Sequence, residues 1–423
     1  MTSPRSQRER LLELTIDAAA TCGLGGVSLR AIASDAGAST TAIFQHYSGK
    51  AELIAYAVRA AIDRDEAFHR NMREQACNLV HGHLGFADFI VSYVEFRAVN
   101  APARFLAEVL VKAPEYPECL QDLVRWHDGR RQFWAELVDA QGIASNFGDI
   151  VADYVLMEEY YAFALVGQVQ YRLLLQETAR ALCDAVFHDG QSSIMNGRVS
   201  LALGVTPYSA RVPSTDGGHA VAGKLLDAAV HIINRAGIGA INQRAIAKAA
   251  DVSTAMIPYH FKDMRNFTTQ AIWHALVQDI PVQLDPDQEN EGLPSNLTDW
   301  LAILDRLLQS GTQERDAGFY VSFSRLTGEA SLMAGRNPAL LPLIEYLRGL
   351  EGWGTYRVGR AIEPLAQRIG RDHAAAFGVW IKAEAILRGA GLVGDEEGMD
   401  RLTRAAGLIL PRETGKLRNG GQE

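Results

Sequence analysis

The strongest constraint on what this chain can fold into is an internal repeat. Eleven residues recur at one fixed offset of 214 positions without a gap: Gly23, Gly25, Arg30, Ala31, Ile32, Ala33, Ala36, Ser39, Thr40, Ile43 and His46 match Gly237, Gly239, Arg244, Ala245, Ile246, Ala247, Ala250, Ser253, Thr254, Ile257 and His260. Conservative pairs lie between them: Leu24 with Ile238, Val27 with Ile241, Tyr47 with Phe261. The offset is about half of the 423 residues, so the chain reads as two copies of one unit joined head to tail. Signals for β-strands are nearly absent and apolar residues recur at helical spacing, which predicts an all-α architecture.

Each copy spells a helix-turn-helix. Leu29 to Ala33 begins a short amphipathic helix whose N-cap is Ser28. Gly37 occupies the turn between crossing helices, where a positive φ is needed. Ser39 caps a second short helix, Thr40 to Phe44, anchored by Ile43 and closed by His46-Tyr47, and Ser48-Gly49-Lys50 leads into a longer helix. This pattern resembles the DNA-binding domain of TetR-type one-component repressors, over residues 8 to 60 and again over 220 to 275. The resemblance implies two three-helix heads on helical bodies that pair through long helices and enclose a small-molecule pocket. The expected divisions are a first head at 1–55, a first body at 56–204, a linker at 205–219 (two prolines, two glycines), a second head at 220–275 and a second body at 276–423.

A helix-turn-helix sends side chains from the start of its second helix to base edges while flanking groups hold phosphates. In the first head Thr40, Thr41 and Ala42 offer hydroxyls and a methyl for the bases, and Arg30 offers two donors to guanine. Ser28, Phe44 and His46 match further contact positions by resemblance, and Lys50 at a helix start suits a phosphate. Arg5, Arg8 and Arg10 are within reach of the backbone or the minor groove. The matching set in the second head is Asn242, Gln243, Arg244, Thr254, Ala255, Met256, Tyr259, His260 and Lys262. It departs from the first. The family's usual tyrosine is Phe44 in one copy and Pro258 in the other, where the missing amide is expected to bend or end the helix early. Lys50 becomes Met264, flanked by Lys262 and Arg265, and Leu29 becomes Gln243, a residue able to read adenine. Two such heads would read different bases.

The formal net charge of −9 argues against a DNA binder until it is located. Lys224 to Arg265 carries six basic residues against three acidic ones, residues 1 to 50 carry five against four, and the rest of the chain therefore holds −13. The acid sits on the bodies, which weakens non-specific attachment. The N-terminal MTSPRSQRER has no apolar core for a secretory leader, and no run is long enough to span a membrane. Four scattered cysteines suit reduced thiols, so a cytoplasmic protein is expected.

The nearly all-apolar run 150–175 and the run 373–392 are the expected pairing helices, making one chain a monomeric pseudo-dimer; a homodimer of chains is the alternative. Aromatic residues nominate the effector pocket: Phe105, Trp126, Phe133, Trp134, Tyr160 and Tyr161 in the first body, and Phe319, Tyr320, Phe323, Trp353 and Trp380 in the second. They suit an apolar or aromatic effector. The chain contains no GxSxG, Walker loop or HExxH, so neither an enzyme nor a cofactor or metal is expected. The expected partners are double-stranded operator DNA and a small molecule, with no membrane. The function expected is a sequence-specific transcriptional regulator, a repressor released by its effector. The alternative is a regulator in which only the first head binds DNA and the second unit serves protein–protein assembly.

Overall fold

A computed structural model describes residues 7–80, 82–142, 147–187, 197–204, 220–278, 293–311, 318–363 and 365–411. The expected linker at 205–219, most of the acidic loop at 281–294, Arg5 and the tail beyond 411 lie outside the described residues. The described residues are helical throughout, with short 3₁₀ turns and no strand.

The first unit runs through α1 (Gln7–Gly26), α2 (Leu29–Asp35), α3 (Thr40–His46), α4 (Lys50–Leu79), α5 (Gly82–Ala98), α6 (Ala101–Val111), α7 (Leu120–Asp139), α8 (Gly148–Leu165), α9 (Val169–Phe187) and α10 (Arg198–Gly204). The second runs through α11 (Ala220–Ala236), α12 (Gln243–Ala249), α13 (Met256–Phe261), α14 (Met264–Gln278), α15 (Leu297–Leu307), α16 (Phe319–Ala334), α17 (Leu341–Leu350), α18 (Trp353–Ala361), α19 (Arg371–Gly389) and α20 (Gly398–Ile409). The repeat read in the sequence is a repeat of structure: α1–α3 recurs as α11–α13.

In each head an apolar stripe closes a small core. Leu11, Ile16, Ile32, Ile43 and Tyr47 are buried in the first, and Leu225, Ile233, Ile246, Ile257 and Phe261 in the second. Full burial of one such aliphatic side chain contributes about 1.5–3 kcal/mol, which is how helices of only six or seven residues persist. The turn between the two short helices takes Gly37 at φ 65 in the first head and Asp251 at φ 52 in the second. Asp, whose short side chain tolerates the left-handed region, replaces Gly there at modest cost.

The bodies meet through two helices that are buried along almost their whole length. Ile150 to Phe163 of α8 and Arg371 to Arg388 of α19 are buried throughout, although both carry ionisable residues among their apolar ones. α8 packs on α16, α17 and α19, and α9 packs on α19 and α20, so the two units pair within one chain through α8, α9, α19 and α20. Charged groups buried at this junction are matched: Arg348 Nη2 lies 2.6 Å from Glu158, and Arg401 Nη2 lies 2.6 Å from Asp153. Burial alone would raise the Asp153 carboxyl, but Arg401 and His127 hold it below its usual range.

Candidate nucleic-acid interface

The first head presents one continuous set of side chains. Ser28 Oγ accepts the Ala31 amide and Ser39 Oγ accepts the Ala42 amide at 3.2 Å, fixing the starts of α2 and α3. Ile43 anchors α3 inward, which turns Thr40, Thr41 and Phe44 out to solvent, with Phe44 56% exposed and Ala42 half-buried between them. Arg30 in the first turn of α2 and His46 at the end of α3 are also exposed. The other basic candidates are engaged within the head. Arg8 lies over the Tyr56 ring at 4.7 Å, and Arg10 donates to the Asp35 carbonyl. Lys50 is half-buried, donates to the Leu24 carbonyl at 2.7 Å and has its pKa lowered by burial and by Lys112. In this conformation its ammonium ties α4 to the end of α1 beyond its kink at Gly23.

The second head differs at its recognition helix. In the repeat register α3 begins at Thr40, matching Thr254, yet α13 begins only at Met256. Pro258 accounts for the shift. Its ring excludes the carbonyl four residues back and it has no amide to give, so a helix can hold it only in the first turn. The helix therefore starts late and ends at Phe261, one position beyond the His46 match, instead of bending or ending early as the sequence reading expected. The carbonyl that Pro258 cannot bond is that of Thr254, and Gln243 Nε2 donates to it at 3.0 Å. Asn242 caps α12 by accepting the Ala245 amide at 2.9 Å, while Ser253 Oγ reaches only the Ala255 amide. Tyr259 is 79% exposed, Thr254, Ala255 and Arg244 are exposed, and Met256 and His260 are half-buried.

Lys262 closes α13 with φ 68 and ψ −51, and the Asp263 amide bonds back to the Phe261 carbonyl at 2.8 Å. That is a γ-turn of the strained hand, rare for a residue with a side chain. It leaves the Lys262 side chain exposed beyond the helix end. Arg265, by contrast, donates to Asn337 Oδ1.

A family model described as bacterial regulatory proteins, tetR family, matches residues 11–57 and 225–268. Both heads are tetR-family domains. A chain carrying two of them is a DNA-binding transcriptional regulator of TetR type built from two TetR-like units, and regulators of this family are in general not enzymes. No curated protein matches the chain. Among the described residues no helix is long and apolar enough to cross a membrane, and no cluster of His, Cys, Asp or Glu is arranged to hold a metal ion.

Each TetR-like head is seated on its body by a glutamate that the sequence reading did not single out. Glu108 of α6 accepts the Leu24 amide at 3.2 Å, and Glu329 of α16 accepts the Ile238 amide at 2.9 Å. The amide presented follows Gly23 (φ 77) in one head and Gly237 (φ 73) in the other. The positive φ favours glycine at both positions; a Cβ at Gly23 would lie 2.7 Å from Arg336 Nη1 and one at Gly237 3.0 Å from Glu329 Oε1, side-chain ends that would have to shift. Burial raises the Glu329 carboxyl, against the hydrogen bond from Ile238.

A cleft of about 730 Å³ opens between α4 and α7 of the first body. Of the aromatic candidates Trp126 and Phe133 line it, beside Asp65, His69, Arg70, Arg73, Arg125 and Arg130. Trp126 Nε1 donates to Asp65 Oδ2 at 2.8 Å, His69 Nε2 meets the Tyr93 hydroxyl at 2.7 Å, and Arg130 pairs with Glu159 at 2.8 Å. Burial drives the His69 pKa down to about 3 despite Asp65. Phe105, Trp134, Tyr160, Tyr161 and Trp380 pack in the core. Tyr320, Phe323 and Trp353 border a much smaller cavity of about 50 Å³ beside Lys382, and Phe319 stacks on Phe323 with ring centroids 5.1 Å apart. Asp65, His69 and Arg73 are spaced four apart on α4, a polar stripe that periodicity could have revealed.

Proposed function

We propose that the chain is a cytoplasmic repressor that lays both heads on one asymmetric operator as an internal pseudo-dimer. The observation that carries this reading is the pairing of two tetR-family heads within one chain, each presenting an exposed recognition-helix face with unlike residues. Thr40, Thr41, Arg30 and Phe44 would read one half-site, and Arg244, Thr254 and Tyr259 the other. Release would follow from a small molecule in the α4–α7 cleft, because α4 begins beneath the first head at Lys50 and carries Asp65, His69 and Arg73 into the cleft wall. A ligand that prefers a wider cleft tilts α4 and moves the head it carries. Trp126 and Phe133 beside the charged groups suit an aromatic effector bearing polar substituents.

A second reading has a specific observation behind it: the late start of α13 and the tethering of Gln243 to Thr254 remove a base-reading side chain from the second head. In that reading only the first head binds DNA and the second unit serves assembly. Selection of DNA from a random library, followed by light scattering on the complex, tests the two. One chain on an asymmetric footprint of two half-sites, about 34–36 Å apart, supports the pseudo-dimer. A single half-site footprint, or two chains on a palindrome, supports the second reading.

A further inference from the structure

Four Arg–carboxylate pairs cross between the two units, and they run one way. Arg336, Arg348, Arg401 and Arg404 belong to the second unit, and their partners Glu108, Glu158, Asp153 and Asp149 belong to the first. Arg336 Nη2 lies 2.6 Å from Glu108, Arg348 Nη2 2.6 Å from Glu158 and Arg401 Nη2 2.6 Å from Asp153, and Arg404 pairs with Asp149. In each of these four Arg–carboxylate pairs the cation lies in the second unit. Two of the pairs are deep, with the side chains of Arg348, Glu158 and Asp153 at most 1% exposed, while Arg336 and Arg404 are 19% and 32% exposed.

The asymmetry is built into single helices. α8 carries Asp149, Asp153, Glu158 and Glu159 and no basic residue, whereas α20 carries Arg401 and Arg404 on the face that meets it. A face related to itself by a true twofold axis supplies both the cation and the anion of every ion pair formed across it. This one does not. Two first units brought together through α8 and α9 would bury Glu158 without Arg348 and leave Asp153 with His127 but without Arg401. Glu159 and Asp149 keep Arg130 and Arg131 of their own unit. The arginines on α9 would not replace Arg348 or Arg401, because Arg172 is held by Glu95 and Arg180 by Asp88 on the α5 side. Two second units would leave Arg348 buried without its carboxylate.

We propose that this one-way charge pattern is a recognition code, by which the pairing face of the first unit accepts a second-unit face and rejects its own kind. The partner it fits is the complementary unit of this chain, and neither a second copy of the same unit nor a symmetric partner satisfies it. Buried ion pairs are weak contributors to stability compared with apolar residues of the same size, because desolvation offsets the Coulomb attraction, but an unpaired buried charge is strongly unfavourable. A row of them therefore discriminates between partners more than it strengthens any one pairing. The inference deepens the pseudo-dimer reading and rests on it.

The test uses full-length chains carrying Arg348→Glu, Glu158→Arg, or both. Either single reversal places like charges together at a buried site. It is expected to lower the thermal midpoint by about 5 °C or more and to drive chains into larger assemblies seen by light scattering. The double reversal restores a complementary pair with opposite polarity and is expected to recover most of the midpoint and the original mass. Failure of the double reversal to recover, or single reversals that behave like the unaltered protein, would overturn the proposal. If Arg348→Glu does not fold, Arg348→Gln paired with Glu158→Gln serves: each alone is expected to be worse than the two together, and additive losses would overturn the proposal. The mass of the unaltered chain separately reports whether both units come from one chain, so a failed code and a failed pseudo-dimer give different results.

Discussion

The two heads descend from one pattern and are built to different tolerances. The first has a serine cap on each short helix, glycine in its turn and a recognition helix that starts where the repeat register puts it. The second has aspartate in the turn, a proline that pushes the helix start back by two residues, a glutamine diverted to the carbonyl the proline abandons, and a strained lysine at the helix end. One substitution, proline at position 258, explains the helix start and the glutamine together. Backbone chemistry at one residue has changed which side chains face outward, although the core residues Ile246 and Ile257 still match Ile32 and Ile43.

The bodies differ in the same sense, and the largest expected effect lies there. The first body holds His69 neutral, with a pKa of about 3 against an ordinary value near 6.5. A histidine whose folded pKa is depressed contributes stability that is present in full above about pH 6.5 and is lost as the pH falls from there towards about 3. The loss amounts to a few kcal/mol. Hydrogen exchange along an acid titration should therefore show α4, α5 and α7 loosening before α16 and α19. His69→Asn should flatten that dependence, and simultaneous loosening of both bodies would break the contrast.

Next in size are the arginines on the first short helices. Arg30→Ala should cost about 1–3 kcal/mol on the selected site and relax preference at its base position. If the second head reads bases, Arg244→Ala should cost a similar amount. If that head is idle, the change should leave affinity within about 0.5 kcal/mol, as surface substitutions usually do. Gel-shift titrations on one selected duplex measure both, and equal losses would erase the functional contrast while leaving the structural one.

Lys50 separates positioning from phosphate contact. With its ammonium on the Leu24 carbonyl, Lys50→Ala should lower stability by about 1 kcal/mol while the salt dependence of DNA binding stays unchanged. A slope flatter by about one unit would instead assign Lys50 to a phosphate. The caps give a matched pair of similar size. Ser39→Ala should destabilise by about 1 kcal/mol, and Ser253→Ala by less, since Ser253 Oγ holds only a turn amide.

Much of this was legible in the sequence because the repeat samples one local solution twice. Caps, turn and inward anchors lie within a few residues of one another, and the nearly all-apolar run of α8 announces its own burial. Three things were not legible. The proline was expected to act at the end of its helix, whereas the first-turn tolerance of proline moves the beginning. The aromatic residues nominated for a ligand are mostly core, because large rings are the residues a core recruits first. The pairs Glu158–Arg348 and Glu108–Arg336 join residues roughly two hundred positions apart, and no local spacing marks them.

The smallest effect is at Lys262, and it bears most directly on whether the second head works. Its γ-turn geometry is one that glycine adopts without penalty and lysine does not. If the strain is incidental, Lys262→Gly should stabilise the protein by up to about 1 kcal/mol and leave DNA binding as it was. If the strain is retained to aim the ammonium at a phosphate, the same substitution should stabilise the fold and weaken binding to every sequence alike, with a salt slope flatter by about one unit. Strained residues persist where the surrounding structure holds them, and they cluster at sites of function. A gain in stability coupled to a loss of DNA affinity would place the second head among the working parts of the protein, late helix start included.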